Sequence, residues 1–338
     1  MAEVAIAKRF EIEARDLEYQ RANGVPLLAR LYRPVGPESS GGPFPAVIDV
    51  HGGAWASGDR LNNAPLDEAL AKSGIVVLAI DFRMPPQHRY PASIADIHFA
   101  TRWLKAHAAD FGSRPELVGG LGTSSGAHQL LLSALRPDDP RYAELELAGE
   151  DARLPYLVLC WPISDPLARY RMVKEKGNAR LVESHDAYWA SEAEMAEGNP
   201  QLILERGEAA LPLPPAIVVQ GGADPVVRKL NGDRVADQWL AHRAAAGGDD
   251  PVSRSRSDSG RTTDGRTYDV LRWYTARGRK VLEYWLVDGL GHAWSGGRKG
   301  GSFSDPDGPR ATTLMWAFFR LHALDRRIGR RLADVAGA

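Results

Sequence analysis

Gly122-Thr123-Ser124-Ser125-Gly126 sets a serine between two glycines in the spacing G-x-S-x-G. A short apolar run precedes it and an amphipathic stretch follows, so it reads as a tight turn from strand to helix. Such a turn lifts the central hydroxyl above a sheet, at a helix N-terminus, and needs small neighbours to avoid a clash. Ser124 takes the central position, and Ser125 contributes its backbone N–H. A glycine-rich turn merely capped by serines would have the same spelling. A hydroxyl becomes a nucleophile when a base takes its proton, and the base must be held by an acid. Of the nine histidines, His292 in Gly289-Leu290-Gly291-His292-Ala293-Trp294 is best placed, in a loop between the last strand-like and last helix-like runs. His98, His107, His242 and His322 fall inside helical runs, and His128 follows Ser124 by four residues on one helix, as a core residue would. His88 and His185 remain as reserves. For the acid, Asp224 in Gly221-Gly222-Ala223-Asp224-Pro225-Val226-Val227 follows a strand-like run; Asp165 competes with it, and Asp288 more weakly. Acyl transfer also needs donors for the charge that grows on a carbonyl oxygen. His51-Gly52-Gly53-Ala54-Trp55 follows another apolar run, so the N–H groups of Gly53 and Ala54 could converge with that of Ser125. His51 is expected to orient that loop by hydrogen bonds. Trp55, Tyr188, Trp189 and Trp294 are candidate walls of a substrate pocket, although core packing would explain any one of them as well.

The elements that must carry these residues are visible as alternating runs. Residues 45–50 (PAVIDV), 75–80 (IVVLAI), 117–121, 155–160 (PYLVLC), 216–220 (AIVVQ) and 281–287 read as buried strands. Between them, 65–72, 91–108, 125–135 and 232–246 have helical apolar periodicity, the pattern of a mostly parallel sheet with helices on both faces. Residues 10–19 and 26–32 suggest an antiparallel hairpin turned at Asn23-Gly24. The expected organisation is a core over 1–164, a helical lid inserted at 165–214, the rest of the core at 215–325 with a polar, mobile loop at 247–267, and a tail at 326–338.

With 42 basic against 43 acidic residues, the chain gives no electrostatic reason to expect nucleic acid or an anionic membrane as partner. Its longest apolar stretches, such as 74–80, fall far short of the roughly 20 residues that cross a bilayer. The first 20 residues are broken by charges and lack a signal peptide's apolar core, and Cys160 has no partner cysteine. A reducing, cytoplasmic setting is therefore expected. There is no H-E-x-x-H, P-loop or Cys/His cluster, so neither metal nor other cofactor is implied.

The front half, with HGGAW, Asp81-Phe82-Arg83, Tyr90-Pro91-Ala92-Ser93-Ile94-Ala95-Asp96 and GTSSG, resembles the hormone-sensitive-lipase-like carboxylesterases. The back half, with GGADPVV, Asn231-Gly232-Asp233, GLGHAWSGG and Gly301-Ser302-Phe303-Ser304-Asp305-Pro306, is similar to polyhydroxybutyrate-depolymerase-like and feruloyl esterases. Both resemblances imply the α/β-hydrolase fold, whose order of Ser, Asp and His along the chain matches Ser124, Asp224 and His292. The first also implies that Asp81 and Arg83 brace the oxyanion loop. Departures are Ala54 for the usual third glycine of that loop, and Thr123 and Ser125 beside the nucleophile. The expectation is an esterase acting on a small-molecule ester of small to medium acyl chain, with a homodimer left open. An amidase or arylformamidase on the same triad, or a binding protein that has lost turnover, are the rivals.

Overall fold

The computed structural model describes residues 10–22, 24–37, 39, 42–143, 147, 149–247, 249–262, 265–297, 304–319 and 321–322. Asn23 at the expected hairpin turn, residues 301–303 and the expected tail at 326–338 lie outside that set.

The strands that read as apolar runs form the middle of one sheet: β3 (Ala46–Val50), β4 (Val76–Ile80), β5 (Val118–Thr123), β6 (Leu157–Cys160), β7 (Ala216–Gly221) and β10 (Lys280–Val287). They lie in the order β4-β3-β5-β6-β7-β10 and pair in parallel throughout. Every residue of β3 to β7 is buried, which is why they lack the alternation of a half-exposed strand. β1 (Glu11–Ala22) and β2 (Val25–Val35) form the antiparallel hairpin, and β2 continues the sheet beyond β4.

Helices cross between the parallel strands: α1 (Ala64–Lys72), α2 (Ala92–Ala106), α3 (Ser125–Leu135) and α8 (Lys229–Ala245). Between β6 and β7 come four short helices, α4 (Pro166–Glu175), α5 (Ala179–Tyr188), α6 (Glu192–Glu197) and α7 (Pro200–Glu205). A last helix covers 311–319. Among the described residues no helix is long and apolar enough to cross a membrane.

One expectation is corrected. The polar segment 247–267, read as a loop, supplies β8 (Val252–Arg261), which pairs antiparallel with β9 (Thr267–Thr275), itself antiparallel to β10. β8 is the outermost strand and nearly every residue of it is solvent-accessible, so burial imposes no apolar period on it. Cross-strand pairs hold it instead: Ser259 Oγ donates to Asp269 Oδ1 at 2.6 Å, Arg272 pairs with Asp258, and the Arg254 guanidinium lies 5.0 Å from the Tyr274 ring.

Candidate active site

The sheet delivers four loops to one edge, because parallel strands all end on the same side and the chain reverses its winding between β3 and β5. At the end of β5, Ser124 adopts φ 54° and ψ −119°, a conformation that costs a residue with a Cβ about 1–3 kcal/mol. Its N–H donates to Cys160 O at 2.9 Å and its carbonyl accepts from His128 N–H at 3.2 Å. The hydroxyl makes no helix-capping bond, so the turn is not a plain serine cap. Its glycines are dictated by contact. A Cβ on Gly126 would stand 2.1 Å from Val50 O, and one on Gly122 2.7 Å from Ala127 Cα.

Past β10, His292 Nδ1–H donates to Asp224 Oδ2 at 2.8 Å, which leaves the Nε2 lone pair facing Ser124 Oγ at 3.1 Å. Asp224, past β7, is held from behind: Oδ1 accepts from Val226 N–H and Val227 N–H, each at 2.8 Å. Its side chain has no solvent exposure. The two competitors serve elsewhere. Asp165 caps α4, with Oδ1 accepting from Ala168 N–H at 2.9 Å and from Asn199 Nδ2 at 2.8 Å. Asp288 Oδ2 accepts from Thr267 Oγ at 2.6 Å.

The loop after β3 runs through φ 129° at Gly53, 52° at Ala54 and 66° at Trp55. A Cβ on Gly53 would meet Ser57 O at 1.8 Å, whereas Ala54 takes without glycine the left-handed turn that a third glycine would adopt at no cost. Among the described residues the N–H groups of Gly53, Ala54 and Ser125 find no protein acceptor. The loop is locked to the elbow where Trp55 N–H donates to Ser125 Oγ and Trp55 Nε1–H to His128 Nδ1, both at 3.1 Å. His128 Nε2–H in turn donates to Gly198 O at 2.9 Å; burial pushes this imidazole down to about 4, so it stays neutral and keeps that acceptor. His51 stacks on Phe82 at 4.4 Å with Nδ1–H toward Gly52 O at 2.7 Å, and burial lowers its pKa. Asp81 pins the far end of the loop through Arg60, accepting from its N–H at 2.8 Å and Nη1 at 2.9 Å. Arg83 instead grips Asp96 of α2, with Nε 3.0 Å from each carboxylate oxygen.

Of the four aromatic candidates, three are not open pocket walls. Trp55, Tyr188 and Trp189 are 1%, 0% and 1% exposed and pack on one another; Trp55 stacks on Tyr188 at 5.6 Å, and Tyr188 meets Trp189 edge-on at 4.9 Å. The cluster joins the β3 loop to α5, and His185 is part of it, 4.8 Å from Trp55 and pushed by burial down to about 4. Trp294 remains half-buried near the site, 6.0 Å from Trp161.

Sequence reasoning missed three contributors. Trp161, just past β6 at φ 40°, lies 5.8 Å from the His292 ring. Asp49, inside β3, accepts from Asn63 Nδ2 at 3.1 and 3.0 Å, and burial raises its pKa to about 7. The acid within the apolar run PAVIDV was the available signal. Arg169 of α4 is 5% exposed, and no pattern in that charged helix marks it.

Comparison with known proteins follows the same lines. The BD-FAE family model matches residues 33–238. Carboxylic ester hydrolase LipN of Mycobacterium tuberculosis is 31% identical over 206 residues, covering 59% of this chain and 52% of that protein. Esterase LipC of the same organism is 35% identical over 117 residues, 34% of this chain and 29% of its own. The chain thus spans about half or less of the length of the curated relatives it matches first. Among solved structures, the native esterase Est2 of Thermogutta terrifontis aligns with a TM-score of 0.59 and 21% identity, over 95% of this chain and 94% of that one. The hyperthermophilic esterase of Pyrobaculum calidifontis aligns at 0.53 and 22% identity, over 69% and 72%. At such identities the likeness is one of fold. Since the family match takes in more than half of the 338 residues, and the structural alignments extend over up to 95% of them, the chain belongs to the BD-FAE family and has the α/β-hydrolase fold.

Proposed function

We propose that the protein hydrolyses carboxylic esters of small to medium acyl chain, with Ser124 as nucleophile, His292 as general base and Asp224 as its supporting acid. The observation that carries this reading is the unbroken chain of hydrogen bonds from Ser124 Oγ through His292 to Asp224, in which Nε2 is the nitrogen that meets the hydroxyl. The esterase names of LipN, LipC and Est2 support it.

In the first step Ser124 Oγ attacks the ester carbonyl carbon while its proton passes to His292 Nε2. Asp224, held by two backbone N–H groups, stabilises the imidazolium without taking the proton. The oxyanion rests on the N–H groups of Gly53, Ala54 and Ser125. Collapse breaks the ester C–O bond, and the alcohol leaves with the proton from His292. Water then attacks the acyl-enzyme by the same route, giving the free acid and restoring Ser124. Helices α4 to α7 act as the lid over this site.

Hydrolysis of p-nitrophenyl esters from acetate to octanoate tests the reading, with Ser124→Ala as control. The expected result is saturable turnover that falls by about 10⁴-fold or more in the variant. Absence of turnover in the intact protein, or turnover that survives Ser124→Ala, overturns it. The same panel extended to anilides and formamides separates an esterase from an amidase.

A further inference from the structure

Behind the Asp224 loop lies a cavity of about 90 Å³ that the proposed chemistry does not use. It is formed where α4, the start of α7 and the N-terminus of α8 meet Val226. Its polar lining is Arg169, Arg228, Arg234, Gln201, Asn231 and Asp165, which is three guanidiniums against one carboxylate. That carboxylate is already engaged in capping α4 and holding Asn199.

Arg169 is the decisive group. It is 95% buried, and among the described residues it forms no ion pair. Its Nε reaches Val226 O and its Nη1 reaches His185 Nε2, both only at 3.4 Å. A guanidinium has five N–H donors, and its burial is costly unless they are met. The guanidinium also lies over the Trp55 ring at 5.7 Å, with no carboxylate in an ion pair with it among the described residues, and the residue lines the cavity. Burial pulls its pKa down to about 10, against the opposing pull of Asp224.

The other wall has the same sign. α8 is 17 residues long, begins after Arg228 with no side-chain cap, and turns Asn231 and Arg234 of its first turns to the cavity. The positive end of a helix of this length favours an anion. Of the two outer arginines, Arg234 makes only a 3.4 Å contact with Gln201 Oε1, and both are exposed.

We propose that this cavity binds a small oxyanion, a carboxylate or phosphate group, clamped by Arg169, Arg228 and Arg234 at the N-terminus of α8. Such an occupant is coupled to the candidate triad through one residue: Val226 accepts from Arg169 with its carbonyl and holds Asp224 with its N–H. The oxyanion belongs either to the substrate, as an acidic group remote from the ester, or to a free ligand.

Calorimetric titration of the whole chain with inorganic phosphate and with acetate, at constant ionic strength set by chloride, tests the site. The expected result is saturable binding of at least one anion, weakened about tenfold or more in the Arg228→Gln/Arg234→Gln double variant. Those side chains are exposed, so the double variant keeps the test open if Arg169→Gln fails to fold. Lack of saturable binding in the millimolar range, or binding unchanged by the double variant, overturns the proposal. Repeating the titration on Ser124→Ala keeps it independent of the esterase reading. The source is then read from kinetics. A rise in KM confined to an ester bearing a terminal carboxylate, relative to its methyl ester, assigns the anion to the substrate. A change in turnover of a neutral ester on adding phosphate, lost in the double variant, assigns it to a free ligand.

Discussion

Ser124 keeps a left-handed backbone only because its neighbours leave it no alternative. Gly126 lets the first turn of α3 press on the end of β3, and Ser124 N–H is tied to Cys160 O at the end of β6. Gly126→Ala therefore forces β3 and α3 apart and is expected to cost about 2 kcal/mol or more of stability, measured by urea denaturation. Asp224 and Asp165 differ in a way that mutation can read. Asp224→Asn keeps the shape but loses the charge that orients and stabilises the imidazole, so kcat should fall by about 10²–10⁴-fold. Asp165→Ala removes an N-cap and the bond from Asn199, and is expected to lower stability by about 1 kcal/mol. Comparing the kcat of the first variant with the denaturation midpoint of the second tests both assignments.

The four helices between β6 and β7 have 6 to 10 residues each, too short to persist in water without help. Each is given a side-chain cap, from Asp165, Asn178, Ser191 and Asn199 in turn. The crossing helices α1, α2 and α8 have no such cap and are held by packing on the sheet. At the far edge, β8 has hydrogen-bonded neighbours on one side only and almost no buried side chain. Its amides should exchange with solvent about 100-fold or more faster than those of β5, which lies between β3 and β6. Hydrogen-exchange mass spectrometry measures this, and equal protection of the two strands would contradict the description of β8 as a lightly held edge.

The buried carboxyls of the β3 side make the stability of the entire fold depend on pH. Burial raises Asp49 to about 7, and burial, with Asp49 and Glu68 nearby, also raises Asp67 well above the usual carboxylate range; among the described residues neither Asp67 oxygen has a hydrogen bond. An unfolded aspartate releases its proton near pH 4, at about 3.9. Between there and about 7 the folded chain holds a proton on Asp49 that the unfolded chain has lost, so stability falls as pH rises. The contribution is full below about pH 4 and gone once the pH has passed through the folded value. Asp49→Asn should flatten this loss by at least about 1.4 kcal/mol, one pKa unit, when denaturation is compared at about pH 4.5 and about pH 7.5. Other titrating groups cancel in that comparison unless they touch Asp49.

The same buried sheet explains what could be read beforehand. β3 to β7 are covered on both faces, so each left a short, largely apolar run in the chain, and the residues just past those runs include Ser124, Asp224 and the loop from His51 to Trp55. Local chemistry alone determined that much, because a parallel strand, its turn and its helix are one short-range pattern. Other choices were made only when distant segments met. Asp165 and Asp224 each follow a parallel strand, and which one reaches His292 depended on where β10 lies beside β7. β8 carried no apolar period, since among the described residues its side chains are all at least partly exposed to solvent. Trp55, Tyr188 and Trp189 have the composition of a pocket, yet α5 folding back on the β3 loop seals them into the interior. Arg169 was one cation among several on a charged helix, and it became a buried one only through the packing of α4 against the Asp224 loop, a contact between residues 57 positions apart.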